Sequence, residues 1–180
     1  MTRDIDEQFA ADFLHRFHGA VNAHDAPAIA ALCHENVVWE DPAAPHTLHG
    51  HEQVLSFHRD TMFPALPNAR VELIDGPYLS LARDGIAVRL RISGRMEGSL
   101  TPPGFAPTMQ RVSFETAEFS TFADGLLARH IVVLNMLDLA RQIGALPEAG
   151  TKADRVGVWL QHVSAYWARR CKRRNNDSGA

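Results

Sequence analysis

Residues 110–147 read QRVSFETAEFSTFADGLLARHIVVLNMLDLARQIGALP. Two runs rich in β-branched and aromatic residues flank Asp124-Gly125, which predicts two antiparallel strands joined by a tight turn. A short helix is predicted to follow over residues 137–143. Because alternate residues of a strand share a face, one face of the first strand carries Phe114, Thr116, Glu118, Ser120 and Phe122. Glu118 therefore lies on a mostly apolar face, where a carboxylate is costly unless it is paired or functional.

The composition is that of an ordinary globular chain. Its 180 residues are 46% apolar and 22% charged, which predicts one domain with a sizeable core. No apolar run approaches the ~20 residues that span a bilayer, so we expect no membrane partner. The polar stretch 1–9 does not resemble a secretory signal, and Cys33 and Cys171 lie too far apart to suggest a disulfide framework. We therefore expect a cytoplasmic protein.

The charge is unevenly distributed along the chain. Net charge is −3, yet five of the 18 basic residues lie within residues 169–174. The preceding part is acidic, and phosphate contact needs a basic face, so we expect no nucleic-acid partner. We interpret the basic segment as a solvated terminus.

Helical spacing predicts the N-terminal elements. Phe9, Phe13, Phe17 and Val21 recur every four residues and predict one apolar stripe on a helix over 6–23. Asp25 is expected to cap a second helix. The remaining pattern predicts a strand at 37–40, a helix at 51–63, strands at 70–82, 85–97, 110–122 and 126–135, and a last helix from 151 to about 174.

The order of these elements predicts the fold class. Helices precede a run of long strands joined by short turns, an order typical of an α+β domain with helices on one face of a sheet. We expect a strongly curved antiparallel sheet, wrapped around the N-terminal helices and enclosing a cone-shaped pocket.

Several short motifs carry a family resemblance. These are VVWEDPA at 37–43, the His49-Gly50 loop opening a helix, the Pro64 to Pro67 segment, the TPPG loop at 101–104, and DGLLARHIVVLNMLDLARQIGALP at 124–147. With these motifs in this order, the chain resembles the SnoaL-like polyketide cyclases of the ketosteroid-isomerase-like and nuclear-transport-factor-like cone superfamily. The resemblance extends over about 6–147. It implies a cone-shaped α+β barrel over 1–147 and leaves 148–180 as a C-terminal helical extension with a basic tail.

The resemblance also implies a type of chemistry. Family cyclases close a ring by an intramolecular aldol reaction without metal or cofactor, and an aspartate on a central strand takes and returns the proton. Glu118 occupies the position of that aspartate. The family often has a histidine two residues after a glycine of the preceding strand, but Met96 follows Gly94 here. Pairing through the outer face of the sheet, as a homodimer, is likewise implied.

The predicted site combines two groups for proton transfer with a set of binding residues. We predict that Glu118 acts as general base and that His130 assists it. The predicted substrate-binding residues are Trp39, Asp41, His58, Met62, Met96, Phe114 and Phe122. Two structural alternatives stay open, in which Glu118 pairs with Arg91 or Arg95 and His130 is a satisfied core residue. We expect no metal at His46, His49 and His51, because three histidines in a loop lack fixed geometry.

The sequence favours a cofactor-free cyclase, isomerase or hydrolase that acts on a small, apolar, polyketide-like carbonyl compound. A non-catalytic binding or carrier protein is the alternative, and Met96 in the histidine position favours it. A steroid isomerase is less favoured because Tyr78 and Tyr166 do not lie where such an enzyme keeps its tyrosine. An epoxide hydrolase needs an Asp-Arg-Asp set that this chain can only loosely imitate. A protein-interaction module is a third hypothesis and rests on the aromatic last helix.

Overall fold

The computed structural model describes residues 5–101 and 104–177, with side chains described as far as residue 169. The chain divides into two compact units, Met1–Ile143 and Gly144–Ala180. Among the described residues, the first unit contains a six-stranded sheet, five α-helices and one π-helical turn, and the second contains one α-helix. The α+β architecture, with a curved sheet around N-terminal helices, is confirmed.

The two N-terminal helices each begin after a capping aspartate, of which the sequence analysis predicted Asp25. Helix α1 spans Glu7–Ala23, and the Asp6 carboxylate accepts a hydrogen bond from the Phe9 amide at 2.7 Å. Helix α2 spans Ala26–Ala31 and is capped by Asp25 in the same way. Each cap satisfies an amide that the first helical turn leaves without a partner.

The sheet has the strand order β2-β1-β6-β5-β4-β3. The strands are β1 Cys33–Glu40, β2 Leu48–His49, β3 Arg70–Leu79, β4 Gly85–Arg95, β5 Arg111–Ala123 and β6 Leu126–Leu134. The pairs β3–β4, β4–β5 and β5–β6 are antiparallel as predicted. Residues 48–49, expected to be loop, form the short strand β2 antiparallel to β1, whereas β1 and β6 run parallel. Most of the first unit separates these two strands in sequence, so no turn length fixes their relative direction.

The β5–β6 hairpin contains the predicted turn and one unpredicted irregularity. Asp124 and Gly125 both have positive φ angles, 49° and 79°, as a two-residue turn of type I′ requires. The register shifts at Thr121/Phe122, so that Leu127 pairs with Phe122 and is buried, whereas Leu126 is exposed. Simple alternation would place Leu126 on the face of His130, but an extra residue in β6 inverts the alternation between them.

The helix predicted at 51–63 is interrupted. Helix α3 spans Gly50–Phe57, a π-helical turn spans His58–Met62, and helix α4 spans Phe63–Ala65. In a π-helical turn the backbone hydrogen bonds join residues five apart in sequence, and such turns are often found at functional sites. His58 is buried at its first position.

The remaining helices follow the sheet. Helix α5 spans Met136–Gln142, with Asn135 accepting a hydrogen bond from the Asp138 amide. In the second unit, helix α6 spans Lys152–Asp177 and exposes several large apolar side chains, among them Trp159 and Trp167. Within the described residues, no helix combines the length and the apolar character that crossing a bilayer requires.

Candidate active site

A cavity lies between the inner face of the sheet and the helices of the first unit. Its volume is about 90 Å³, and apolar side chains form most of its wall. The polar side chains among its described lining residues are His18, Asp41, His58, Thr116, Glu118 and His130. A carboxylate or imidazole in such a wall is desolvated, so its charged form is disfavoured.

Glu118 lies on β5 and is 7% exposed. Its Oε1 accepts a hydrogen bond from Thr116 Oγ1 at 3.4 Å, and its Oε2 lies 3.5 Å from His130 Nε2. Burial raises the pKa of Glu118 to about 8; the nearby Asp41 carboxylate adds to the increase, and the Thr116 hydrogen bond opposes it. At neutral pH, therefore, Glu118 is mainly protonated.

The structural alternative for Glu118, an ion pair with arginine, was wrong. Arg91 contacts Glu115 at 3.2 Å, on the opposite face of the sheet. Arg95 lies opposite Arg111 at the far end of the β4–β5 ladder, many residues from the Glu118–Val88 pair. Among the described lining residues, no guanidinium enters the cavity.

His130 lies on β6 and is 2% exposed. Its Nδ1 lies 3.0 Å from Ser120 Oγ, and its ring packs against Trp39 at a centroid distance of 4.1 Å. Burial lowers the pKa of His130 to about 3, and the nearby rings of His58 and His18 add to the decrease. The imidazole is therefore neutral at physiological pH. Sequence reasoning placed Ser120 on the Glu118 face but did not recognise its contact with His130.

Asp41 follows β1 and its backbone turns into the loop before β2. Its Oδ1 accepts a hydrogen bond from the Ala43 amide at 2.8 Å. Burial raises the pKa of Asp41 to about 6, while the Ala43 amide and the Trp39 indole favour the charged form. Trp39 Nε1 is buried and faces this carboxylate without reaching full hydrogen-bond geometry. The site thus has a second carboxyl group, more acidic than Glu118.

Two further histidines line the cavity. His58 Nδ1 lies 2.8 Å from the Val54 carbonyl oxygen, which can only accept, so Nδ1 carries the proton. Burial lowers the pKa of both His58 and His18 to about 4. His18 was missed by the sequence analysis, although its position directly after Phe17 places it at the edge of the apolar stripe of α1.

The predicted binding residues divide into two groups. Trp39, Met62, Met96 and Phe114 line the cavity together with Asp41 and His58. Phe122 does not, and its assignment to the pocket was wrong. Its ring packs edge-on against Phe9 and Phe13, at centroid distances of 5.0 and 4.7 Å, within the core beside α1. Alternation places a side chain on the inner face but does not say how deep in the cone that side chain lies.

The loop histidines do not form a cluster. His51 Nε2 contacts the Cys33 carbonyl oxygen instead of converging with His46 and His49. In the parts of the chain that the structure describes, no three His, Cys, Asp or Glu side chains are grouped to hold a metal ion.

Comparison with known proteins relates the first unit to one family. Residues 14–130 match the family described as the SnoaL-like domain. No curated protein matches the chain in sequence.

Solved structures share the fold at low sequence identity. TsrD from Streptomyces laurentii is 24% identical, with a TM-score of 0.66 over 79% of this chain and 99% of its own. AclR from Streptomyces galilaeus is 22% identical, with a TM-score of 0.65 over 93% and 96%. A protein of Jannaschia sp. CCS1, described as a "putative SnoaL-like polyketide cyclase", is 18% identical, with a TM-score of 0.65 over 82% and 99%. At these identities the likeness establishes the fold.

Proposed function

Because the chain belongs to the SnoaL-like domain family, we propose that it is a cofactor-free acid–base enzyme acting on a small carbonyl compound. Asp41 and Glu118 are the two groups that carry the proton transfers. His130 assists Glu118, while Trp39, His58, Met62, Met96 and Phe114 shape the binding cavity.

One observation carries this proposal: two carboxyl groups with different pKa values share one apolar cavity. The pKa of Asp41 is raised to about 6 and that of Glu118 to about 8. Between these values Asp41 is ionised and Glu118 is protonated. Pairs of titratable groups whose environments separate their pKa values provide an acid and a base at the same pH. The sequence predicted Glu118 as the base, but its higher pKa favours the role of acid and leaves the role of base to Asp41.

The reaction begins with formation of an enol. The Asp41 carboxylate removes a proton from the carbon beside the substrate carbonyl, and the C–H electron pair becomes the new C=C bond. The carbonyl π electrons move to oxygen, which takes the Glu118 proton. If the enol is conjugated with a further C=C bond, Asp41 returns its proton to the far carbon of that bond while the enol O–H returns its proton to Glu118, which completes an isomerisation. In an aldol cyclisation, the C=C electrons of the enol instead form a C–C bond to a second carbonyl carbon of the same molecule. The π electrons of that carbonyl move to its oxygen, which takes the proton held by Asp41, while the enol O–H returns its proton to Glu118 and the first carbonyl re-forms.

The cavity size favours a small substrate. A volume of about 90 Å³ exceeds several-fold the ~10–15 Å³ that one water needs, but it is below the ~300 Å³ at the lower end of drug-sized pockets. A substrate with several fused rings requires side chains to move. Met62 and Met96 are unbranched and adaptable, and they line the wall where such movement costs least.

Other chemistries of related folds have less support. Epoxide hydrolysis by an Asp-Arg-Asp set needs an arginine in the cavity, and none is present among the described lining residues. Tyr78 and Tyr166 are both exposed, so neither provides a buried hydroxyl to an oxyanion as in a steroid isomerase.

Deuterium exchange tests the proposal without knowledge of the natural substrate. Small ketones, 1,3-diketones and polyketide-like esters are incubated with the protein in D₂O, and loss of the α-proton signal is followed by NMR. We expect Asp41→Asn and Glu118→Gln each to slow the catalysed exchange by about 10²–10⁴-fold, the usual contribution of a positioned acid or base.

A matched control lies on the same strand. Glu115 is a carboxylate three residues from Glu118, but it lies on the outer face and pairs with Arg89. Glu115→Gln should therefore keep the parent rate. Equal exchange in the parent, Asp41→Asn and Glu118→Gln proteins would refute the catalytic assignment.

A carrier protein is the second candidate function. The predominantly apolar wall, with Met96 in the position of the family histidine, favours binding of an apolar molecule without chemistry. Native mass spectrometry after incubation with small apolar ligands discriminates the two functions. Tight binding of a ligand that is recovered unchanged, with no deuterium exchange, supports the carrier.

A further inference from the structure

Ser120, His130 and Glu118 form a buried row across β5 and β6. Ser120 faces His130 directly in the β5–β6 ladder, and Ser120 Oγ lies 3.0 Å from His130 Nδ1. On the other side of the ring, His130 Nε2 lies 3.5 Å from Glu118 Oε2. The three residues are 5%, 2% and 7% exposed, respectively.

The row has the residue types of a hydrolase triad, but its arrangement is different. Glu118 and His130 line the cavity, whereas Ser120 is not among the described lining residues. Its hydroxyl cannot attack a bound molecule and acts only through the imidazole. We propose that Ser120 is a positioning residue whose hydroxyl lets His130 exchange tautomers whenever Glu118 gains or loses its proton. This inference deepens the proposed function and concerns the same site.

The argument follows from the donors and acceptors of the row. When Glu118 is protonated, its O–H is placed to donate across the 3.5 Å separation to His130 Nε2, so the ring proton lies on Nδ1 and is donated to Ser120 Oγ. When Glu118 is ionised, the ring proton lies on Nε2 and is donated to the carboxylate, while Ser120 donates its hydroxyl hydrogen to Nδ1. A hydroxyl is both donor and acceptor, so it satisfies Nδ1 in both states.

Close packing prevents the His130 ring from adapting to the two states of Glu118 by rotating instead of changing tautomer. The Trp39 ring lies 4.1 Å from the His130 ring between centroids, and the Phe17 ring lies 5.6 Å from it. A flip of the imidazole requires these side chains to separate, which close packing opposes. A change of tautomer leaves the heavy atoms where they are.

The other titratable groups that face the row do not change their ionisation state above pH 7. His18 on α1 and His58 in the π-helical turn have pKa values lowered to about 4, so both are neutral in this range. Asp41, after β1, has a pKa of about 6 and is already ionised. Between pH 7 and 9.5, the titrating group of the cavity is therefore Glu118.

NMR titration of the 180-residue chain tests the inference without substrate. The ¹⁵N shifts of the two His130 ring nitrogens report the tautomer, and the ¹³C shift of the Glu118 carboxyl reports its ionisation. We expect His130 to change from the Nδ1–H to the Nε2–H tautomer with the same midpoint as the Glu118 carboxyl. A His130 tautomer that stays constant while Glu118 titrates would overturn the proposal.

Two substitutions separate positioning from packing. In Ser120→Ala the Nδ1–H tautomer leaves a buried N–H without a partner, which is more costly than an unpartnered lone pair. The Nε2–H tautomer should then persist at all pH values, and the Glu118 midpoint should fall by about one pH unit. Ser120→Thr keeps the hydroxyl and should keep the parent midpoint.

The remaining outcomes are also decisive. A midpoint in Ser120→Ala that is unchanged or raised would refute the positioning role. If the tautomer change occurs as expected but no substrate exchanges deuterium, the positioning role holds and the proposed enzymatic function fails. The two proposals can therefore be distinguished.

Discussion

The Trp39 indole stacks obliquely on the His130 imidazole, with ring centroids 4.1 Å apart and planes tilted by 42°. Its Nε1 faces the Asp41 carboxylate two residues further along the chain. One side chain therefore contacts both the histidine beside Glu118, the proposed acid, and the carboxylate of Asp41, the proposed base. The parallel β1–β6 pair makes this possible, because Trp39 and His130 are direct partners in its ladder.

Trp39→Phe should shift the acidic limb of the pH–rate profile to higher pH. The substitution keeps an aromatic ring against His130 but removes the indole N–H that holds the pKa of Asp41 down. The pKa of Asp41 then rises, and more alkaline conditions are needed to ionise the base. The pH dependence of α-proton exchange measures the shift. Phe17→Leu, which also alters packing on His130 but removes no N–H, is the control and should leave the acidic limb in place.

The parent protein should show a narrow, bell-shaped pH profile of kcat/KM. The proposed mechanism requires an ionised Asp41 and a protonated Glu118, so activity should rise through pH 6 and fall above pH 8. If Glu118 were the base, activity would instead continue to rise through pH 8. A profile of that form would contradict the division of roles proposed here.

Local sequence signals predicted the elements that frame the site. Asp6 and Asp25 cap helices because a short side chain can satisfy nearby amides, and Asp124-Gly125 turns the chain because both residues accept positive φ. These effects involve neighbours within a few residues. The alternation of β5 likewise placed Glu118 on the buried face.

The features that sequence did not predict depend on distant contacts. The parallel β1–β6 pairing, the bulge in β6 and the π-helical turn are all set by packing across the unit. The same is true of the contact between Ser120 and His130 and of the approach of Asp41 to Glu118. Local propensity carries no information about such contacts, so the division of acid and base roles could be argued only from the assembled cavity.

Glu118→Gln should change stability in a pH-dependent way. The pKa of Glu118 is raised on folding, from an ordinary value of 4.5 to about 8, so between these values the folded state binds more protons than the unfolded state. The free energy of unfolding of the parent therefore falls as pH rises through this window. The glutamine variant does not have to ionise, and its stability relative to the parent should increase from pH 5 to pH 8.

Urea unfolding of both proteins at pH 5 and pH 8 measures this difference. Glu115→Gln is again the matched control, because the hydrogen bond and charge of Arg89 lower the pKa of Glu115 instead of raising it. The stability of Glu115→Gln relative to the parent should therefore stay nearly constant between pH 5 and pH 8, because the Glu115 carboxyl is ionised in both the folded and the unfolded state over this range. A glutamine variant at position 118 without a relative gain at pH 8 would mean that the carboxyl is not desolvated.

Phe114 and Phe122 provide a matched pair on one strand face. Both are buried, but Phe114 lines the cavity, whereas Phe122 packs on α1. Phe122→Ala should lower the free energy of unfolding by about 3–5 kcal/mol and leave ligand size preference unchanged. Phe114→Ala should enlarge the cavity and admit bulkier ketones. Denaturant unfolding and a graded ligand series measure the two effects, and an identical ligand preference in both variants would contradict the placement of the cavity wall.

Pairing of two copies through the outer face of the sheet, as a homodimer, remains a prediction. Phe119 and Val133 are exposed there, on adjacent strands, as large apolar side chains. If this face pairs with a second copy, Phe119→Lys places a desolvated charge in the interface and should yield a monomer. Leu81→Lys, at a fully exposed apolar residue in the turn between β3 and β4, should leave the dimer intact. Sedimentation of the three proteins measures the masses, and a parent that sediments as a monomer, or a Phe119→Lys protein that stays dimeric, would exclude pairing through this face.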